Sequence, residues 1–253
     1  MASERIIGIM GAMPEEVNGI INLLENVSKQ NFGQREYYRG SFNDRDFVVV
    51  FSRWGKVAAT TTVTTLIHEF GVSEVLFTGV AGAIHPSLKI GDVVIGKRFI
   101  QHDLNGQPLM PKFEIPLLGK SYLESDSLSI NRAKEAVNIV LNERNLHKLI
   151  SKKQLLQFGI NQPKLWLGDI ASGDQFIATN SARESIINEL PDVLCVEMEG
   201  AAVAQVCYEY AIPFAIIRTI SDEANESSPI DFTAFIREVS SKYSAEIVKQ
   251  LYF

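Results

Sequence analysis

Acidic and basic side chains follow the most apolar segments of this 253-residue sequence. The candidates are Glu16 after residues 6–10, Glu197 and Glu199 after residues 193–196, and Arg218, Ser221 and Asp222 after residues 214–217. A basic residue embedded in an apolar segment usually has a partner, so we expect Arg218 to pair with another group. In open α/β sheets, ligands bind outside the carboxyl ends of the strands. These residues are therefore the first candidates for a functional site.

Each of these signals also has a purely structural interpretation. Pro14 suits the first turn of a helix, and we interpret Glu15 as an acid that stabilises the helix start. Glu16 immediately precedes the apolar helix face, so it is placed to point towards a site instead. Ser221 or Asp222 would also fit the cap of a turn. Residues 78–83 (Thr-Gly-Val-Ala-Gly-Ala) predict a tight turn, and they match neither the dinucleotide fingerprint nor the P-loop.

Short apolar runs alternate with segments of helical spacing. The runs at 6–10, 48–51, 75–77, 93–95 and 214–217 are rich in Val and Ile, which indicates strands buried on both faces. Apolar residues at i, i+3, i+4 and i+7 predict helices around 17–24, 63–70, 203–210 and 232–239. We therefore predict an α/β fold, a single domain over residues 1–253 in which a central mixed sheet lies between two layers of helices.

Two connections depart from this regular alternation. Residues 102–129 contain Pro108, Pro111 and Pro116 and show little periodicity, which predicts a long loop. Long loops in compact domains are usually functional or disordered. His102 and Asp103 open that loop, and they are minor candidates for function. Residues 225–229 predict a short polar turn before a helix.

Composition excludes several classes of protein. The net charge of −6 argues against a nucleic-acid-binding face, because neutralising phosphates requires clustered Lys and Arg. No apolar run approaches the roughly 18 residues of a membrane span. Cys195 and Cys207 lie in apolar patterns, where we expect them in the core of a protein from a reducing, cytoplasmic compartment. The four histidines are scattered, and a metal site is not expected.

Taken together, the segments resemble the purine and uridine phosphorylase superfamily, and within it the 5'-methylthioadenosine/S-adenosylhomocysteine nucleosidases. The stretches that carry this resemblance are 8–17 (Gly-Ile-Met-Gly-Ala-Met-Pro-Glu-Glu-Val), 55–59 (Gly-Lys-Val-Ala-Ala), 78–82 (Thr-Gly-Val-Ala-Gly), 172–177 (Ser-Gly-Asp-Gln-Phe-Ile), 196–200 (Val-Glu-Met-Glu-Gly) and 220–222 (Ile-Ser-Asp). They occur in the order of the family and span nearly the whole chain. The resemblance implies a nucleoside phosphorylase-like fold and hydrolysis of the N-glycosidic bond of an adenine nucleoside with a 5'-thio substituent, without a cofactor.

The resemblance also implies a role for each site residue. Asp222 would act as the general acid at adenine N7 with support from Ser221, and Glu16 would activate the attacking water with help from Arg218. Glu199 would bind the ribose hydroxyls, beside Glu197 and Met198. Phe176 would stack on adenine, whose edge the backbone of Phe176 and Ile177 would bind. Phe232 would line the pocket of the 5'-substituent. A homodimer is implied as well, with part of the long loop completing the site of the partner.

Four departures from the family pattern bear on the site. Acids in residues 11–16 stand where phosphorylases bind phosphate, which favours water as the nucleophile. Val80 replaces a serine that many nucleosidases place beside the water. Trp54 replaces a smaller aliphatic residue, which we expect to narrow the pocket of the 5'-substituent and to favour the methylthio substrate. Residues 104–119 match the family poorly.

Several alternatives remain open at the level of the sequence. Some close relatives that combine a turn like that at Val80 with the Ser-Gly-Asp-Gln-Phe form of residues 172–176 also accept 6-amino-6-deoxyfutalosine, and 5'-deoxyadenosine is a further alternative substrate. A phosphate-dependent purine nucleoside phosphorylase is one alternative enzyme. A noncatalytic adenine-nucleoside-binding protein on the same scaffold is another alternative, because a fold alone does not define an activity.

Overall fold

The computed structural model describes residues 5–225 and 232–252, which form one mixed sheet of ten strands and the helices around it. The strands are β1 (Ile6–Gly11), β2 (Glu25–Phe32), β3 (Arg35–Phe42), β4 (Arg45–Phe51), β5 (Val72–Ala83), β6 (Val93–Gln101), β7 (Leu123–Glu124), β8 (Leu165–Ser172), β9 (Val193–Glu197) and β10 (Phe214–Asp222). The helices are α1 (Pro14–Ile21), α2 (Lys56–Phe70), α3 (Ser127–Leu141), α4 (Glu143–Leu149), α5 (Lys152–Gln157), α6 (Asn180–Glu189), α7 (Gly200–Glu209), α8 (Phe232–Phe235) and α9 (Ser241–Tyr252). A π-helical segment, Ile236–Ser240, joins α8 to α9. The predicted α/β class with a central mixed sheet flanked by helices is confirmed.

The sheet is part open and part closed. Its strand order is β10-β6-β8-β9-β5-β1-β4-β3-β2, and β10 also pairs with β5. Strands β5, β10, β6, β8 and β9 therefore form a closed ring, which the sequence did not indicate. Pairing within the ring sets Arg218 opposite Gly79 and Asp222 opposite Gly82, while Gly82 also pairs with Val196 on β9. Ring closure thus brings residues far apart in the chain onto neighbouring strands.

The apolar strands are buried on both faces, as their composition predicts. In β1, Ile7 and Ile9 pack in one core cluster and Met10 packs in another. In β4, Phe47 and Val49 face the first cluster, while Val48 and Val50 face the second. Helices α1, α3 and α9 cover the first face, and α2 and α7 cover the second. Because side chains alternate along a strand, one apolar run supplies both cores.

Some element boundaries differ from those that the sequence predicts. The predicted turn at 78–83 is wrong, because those residues continue β5, whose backbone pairs with β10 and β9. Helix α1 ends at Ile21, and Leu24 is buried beyond its end. The helix predicted from Phe232 begins there, but its second half is the π-helical segment.

The predicted long loop is present, but it ends at residue 126 and not at 129, because residues 127–129 belong to α3. The long connection after β6 holds only the short strand β7 before α3 begins at Ser127. Of the predicted turn at 225–229, residues 226–229 lie outside the described residues.

The two cysteines are free and buried, as expected for core residues. Within the described ranges, the chain has no helix of the length and apolarity that crossing a bilayer requires.

Candidate active site

All twelve residues that the sequence analysis assigns to the substrate site line one cavity of about 610 Å³, a volume that includes its open mouth. They are Glu16, Trp54, Val80, Phe176, Ile177, Glu197, Met198, Glu199, Arg218, Ser221, Asp222 and Phe232. The cavity lies at the ends of β1, β9 and β10 and along the second half of β5. The strand ends therefore converge on one site, as expected for an α/β sheet.

Glu16 is fixed by the protein backbone. Its side chain is 1% exposed, and Oε2 accepts hydrogen bonds from the N–H groups of Ala12 at 2.6 Å and Met13 at 3.0 Å. Oε1 accepts a third hydrogen bond from the N–H of Val80 at 3.2 Å. Burial raises the pKa of Glu16, although the charge of Arg218 and these N–H groups oppose the rise. In contrast, Glu15 is exposed, as predicted for an acid that only stabilises the helix start.

Arg218 has the partner that its burial predicts. Its guanidinium contacts Glu197 Oε2 through Nη2 at 2.5 Å and Nε at 3.2 Å, and both side chains are almost fully buried. The N–H of Gly200 and the hydroxyl of Ser172 also donate to Glu197. The guanidinium carbon lies 4.0 Å from the centre of the Phe77 ring. The Arg218 charge is therefore held by a carboxylate on one side and an aromatic face beneath it.

One atom of that guanidinium is unsatisfied. Arg218 Nη1 is buried and has no hydrogen-bond partner within the described residues. A Cβ added to Gly79 would lie 2.9 Å from this atom and 2.8 Å from Glu16 Oε1. Gly79 therefore leaves room for a base and a cation to approach the same point, and any side chain there would block them.

Glu199 is held much more loosely than Glu197. Its Oε1 accepts a hydrogen bond from the N–H of Gly55 at 2.8 Å, and its Oε2 has no hydrogen-bond partner in residues 5–225 and 232–252. Burial, followed by the neighbouring Glu197 charge, raises the pKa of Glu199 to about 8. Because the carboxylate of Glu197 is fully engaged, Glu199 is the acid of the pair with an oxygen available to a ligand.

Asp222 is supported from both sides at the end of β10. The Ser221 hydroxyl donates to Asp222 Oδ2 at 2.7 Å, and the N–H of Ala224 donates to Oδ1 at 2.8 Å. The second contact is the turn cap that the sequence allowed as an alternative. Asp222 lines the cavity all the same, so one residue both caps the turn and faces a ligand.

Aromatic side chains form the outer wall. The rings of Phe176 and Phe232 meet edge to face with 5.8 Å between their centres. Phe176 is 47% exposed and Trp54 is 57% exposed, although both line the cavity. Apolar walls with a few convergent polar groups are typical of small-molecule sites.

Comparison with known proteins supports the resemblance found in the sequence. The family model described as the phosphorylase superfamily matches residues 6–252. This chain belongs to the phosphorylase superfamily. Within it, the chain is 34% identical over 250 residues to a 5'-methylthioadenosine/S-adenosylhomocysteine nucleosidase of Staphylococcus aureus, covering 97% of this chain and 100% of the relative.

Two further members of the superfamily extend the comparison. An aminodeoxyfutalosine nucleosidase of Helicobacter pylori is 33% identical over 246 residues, covering 97% of this chain and 96% of the relative. A crystal structure of the nucleosidase from Neisseria meningitidis, in complex with methylthio-immucillin-A, has a TM-score of 0.84 at 32% identity, covering 97% and 99% of the two chains. The predicted resemblance to the nucleosidase branch of the superfamily is thereby confirmed.

Sequence reasoning missed three residues that build the site. Ser172 and Gly55 were noticed only as parts of shared motifs, yet one donates to Glu197 and the other to Glu199. Gly79 was interpreted as part of a turn, whereas it is a strand residue between Glu16 and Arg218. The minor candidates His102 and Asp103 do not line the cavity. Within the described residues, no cluster of His, Cys, Asp and Glu has the composition of a metal site.

Proposed function

We propose that this chain hydrolyses the N-glycosidic bond of 5'-methylthioadenosine and S-adenosylhomocysteine, releasing adenine and the 5'-substituted ribose without a cofactor. The observation that carries the proposal is the clustering of three buried acids, Glu16, Glu199 and Asp222, around one apolar cavity with Arg218 beside them. Each acid has a different environment, which is the condition for dividing proton donation and acceptance among carboxyl groups. The similarity to named nucleosidases over almost the whole chain supports it.

Asp222 acts on the leaving group in this proposal. It donates a proton or hydrogen bond to N7 of adenine, while the Ser221 hydroxyl at 2.7 Å keeps its carboxyl group oriented. The ring of Phe176 stacks on the base, and the backbone of Phe176 and Ile177 binds the adenine edge. Protonation of the base makes it a neutral leaving group, so that the C–N bond breaks with less charge separation.

The carboxylates of Glu16 and Glu197, which line the same cavity, stabilise the positive charge that builds on the sugar as adenine departs. Glu199 binds the ribose hydroxyls through the oxygen that Gly55 leaves free. Met198 lines the sugar on one side. Glu197 lines the cavity too, but its carboxylate serves chiefly to hold Arg218.

Glu16 and Arg218 position the attacking water. The water donates a hydrogen bond to Glu16 Oε1 and accepts one from Arg218 Nη1, since these two atoms flank the space above Gly79. Glu16 takes the proton as the water oxygen bonds to the anomeric carbon. The absence of a serine at Val80 removes a side-chain contact, but the N–H of Val80 still orients Glu16 at 3.2 Å.

Water is a better nucleophile here than phosphate. The arginine that lines the cavity is already paired with Glu197, and an anion beside it would also face the carboxylate of Glu16. Unpaired phosphate charge close to carboxylates is unfavourable in a buried site. These charges therefore disfavour a phosphorylase. A noncatalytic binding protein is disfavoured for a different reason, because it would need no water-activating acid at position 16.

The 5'-substituent lies against Trp54 and Phe232 in this proposal. The breadth of the indole favours the methylthio group over the longer homocysteine group. Aminodeoxyfutalosine is a second candidate substrate, because a relative that is 33% identical over 246 residues carries that activity in its name. Both reactions release adenine by the same chemistry.

The molecule that carries out this reaction is proposed to be a homodimer of single-domain subunits in the cytoplasm. Leu109 and Leu117 of the long loop are 94% and 101% exposed, and a partner subunit packed on this loop would cover both apolar side chains. The two free cysteines suit a reducing compartment.

One incubation tests the proposal. The protein is incubated with 5'-methylthioadenosine, with and without phosphate, and adenine and the sugar product are separated by chromatography. Adenine with free methylthioribose at equal rates in both buffers supports hydrolysis. A phosphate-dependent sugar 1-phosphate would instead indicate a phosphorylase, and tight binding without adenine release would indicate a binding protein.

A further inference from the structure

Lys56, Asp103 and Asp174 form a closed ring of hydrogen bonds outside the cavity. Lys56 Nζ donates to Asp103 Oδ1 at 2.6 Å, and the N–H of Lys56 donates to Asp174 Oδ1 at 2.8 Å. The N–H of Asp174 closes the ring by donating to Asp103 Oδ2 at 2.9 Å. Gln101 Oε1 accepts a further hydrogen bond from Lys56 Nζ at 3.1 Å. None of these four residues lines the cavity.

The ring joins three segments that come from different strands. Lys56 begins α2 directly after the loop that follows β4, Asp103 follows β6, and Asp174 follows β8. Each of the three segments is joined in sequence to a residue that builds the cavity or to the long loop. Gly55 donates to Glu199, Phe176 lies two residues after Asp174, and Asp103 is the second residue of the long loop.

The environment of the ring strengthens its contacts. The Lys56 and Asp103 side chains are only 17% and 22% exposed, so water screens their ion pair less than it screens a surface pair. Burial alone would raise the pKa of Asp103, but the hydrogen bonds from Lys56 and the Asp174 N–H outweigh burial and lower it. Hydrogen bonds of this charge-assisted kind are about twice as strong as neutral ones.

We propose that Lys56 is a positioning residue for the nucleosidase reaction, which sets the ribose-binding Glu199 and the adenine-stacking Phe176 at a fixed separation through its ring with Asp103 and Asp174. This inference rests on the proposed function and adds a residue to it. Lys56 contacts neither base nor sugar. It acts through the backbone of Gly55 on one side and the segment from Asp174 to Phe176 on the other.

Opening this ring of hydrogen bonds should weaken substrate binding while it leaves the rate of the chemical step almost unchanged. Opening the ring leaves Glu16, Arg218 and Asp222 in place, because their contacts come from the turn after β1 and from β5, β9 and β10. Opening the ring does release Glu199 and Phe176, which hold the ribose and the adenine of the nucleoside. KM for 5'-methylthioadenosine is therefore expected to rise by roughly 10- to 100-fold, while kcat changes by less than about threefold.

The test compares Lys56→Met, Asp103→Asn and the double variant with the wild-type chain. Either single substitution opens the same ring, so the double variant should be no worse than the more impaired single variant. Lys29→Met is the matched control, because it removes an exposed lysine ion pair far from the cavity, and it should leave KM unchanged. Asp103→Asn keeps the volume of the side chain, so the proposal can still be tested with this variant if the Lys56→Met protein does not fold.

Two results would overturn the proposal: single variants that fold and keep KM within about twofold of wild type, or losses that multiply in the double variant. Binding of adenine, measured by isothermal titration, adds a readout that does not need turnover. It should weaken in both single variants and stay unchanged in Lys29→Met. If the wild-type chain releases no adenine at all, the proposed function fails, and unchanged adenine binding in Lys56→Met and Asp103→Asn would then refute the positioning role separately.

Discussion

Arg218 is bound to Glu197 through one edge of its guanidinium only. Nη2 and Nε contact Glu197 Oε2 at 2.5 and 3.2 Å, while Nη1 is buried without a hydrogen-bond partner in the described part of the chain. A buried donor without a partner is costly, and proteins keep such groups where a ligand or water satisfies them. The pair therefore both neutralises the arginine and leaves one N–H pointing at the place proposed for the attacking water.

Glu197→Gln should destabilise the fold strongly. The substitution removes the charge of the carboxylate that directly contacts the buried Arg218, which costs about 3–5 kcal/mol in the free energy of unfolding. Urea denaturation measures this change. Asp46→Asn is the matched control, because its pair with Arg39 at 2.8 Å is partly exposed and should contribute under about 1 kcal/mol. Equal losses in the two variants would contradict this account.

Glu16→Gln and Asp222→Asn should abolish most turnover without removing adenine binding. Each substitution keeps the size of the side chain but removes a proton acceptor or donor, and kcat should fall by roughly 10²- to 10⁴-fold. Single-turnover adenine release measures the effect. Glu15→Gln is the internal control, since this neighbour of Glu16 is exposed and should retain full activity. Near wild-type turnover in a folded Asp222→Asn protein would exclude Asp222 as the general acid.

Glu199→Gln should make the stability of the protein less dependent on pH. The pKa of Glu199 is raised in the folded state to about 8, so the folded protein keeps a proton that the unfolded chain releases above about pH 4.5. The contribution of this group is fully present below pH 4.5 and is lost as the pH rises towards 8. Glu16, whose pKa is also raised, acts in the same direction.

The comparison is made by urea unfolding of wild type and Glu199→Gln between pH 5 and pH 8. The difference in unfolding free energy should change in favour of the variant by up to about 1.4 kcal/mol per pH unit. The variant should at the same time lose affinity for the nucleoside. A difference that stays constant across this range would show that Glu199 is ionised throughout in the folded protein.

The apolar strands of the core and the residues at their ends were predictable, because continuous Val and Ile runs have few alternatives. Strands β2 and β3 were not predicted. All but the last residue of β2 are exposed, so the strand carries no apolar pattern. The turns on either side of β3 do carry a signal in the sequence. Gly33-Gln34 and Asn43-Asp44 have positive φ, as in two-residue hairpin turns, and Gly, Asn and Asp are the residue types that such turns favour.

The site was predictable as a set of residues but not as a set of contacts. The resemblance to nucleosidases identified the residues that line the cavity, and motif order was sufficient for that. The partner of Arg218 was not predictable, because closure of the strand ring decides which acid reaches it. For the same reason, the ring of Lys56, Asp103 and Asp174 has no signature in the sequence, since its members lie 47 and 71 residues apart.

Trp54→Ile should widen the range of 5'-substituents. Trp54 lines the mouth of the cavity and is 57% exposed, so its replacement opens the wall without leaving a buried void. The ratio of kcat/KM for S-adenosylhomocysteine to that for 5'-methylthioadenosine should rise by about tenfold. Because both substrates are measured on one protein, the ratio is insensitive to general loss of activity. An unchanged ratio would remove Trp54 as a determinant of specificity.

Leu109→Asp should separate the proposed dimer and reduce activity with it. Leu109 is 94% exposed in the long loop, and a charge buried in an apolar interface is strongly unfavourable. Light scattering coupled to gel filtration should show a monomer, with turnover reduced by roughly tenfold or more. Leu128→Asp serves as control, because Leu128 is 74% exposed on α3 outside that loop. If the Leu109→Asp protein is a fully active monomer, the long loop does not complete a neighbouring site.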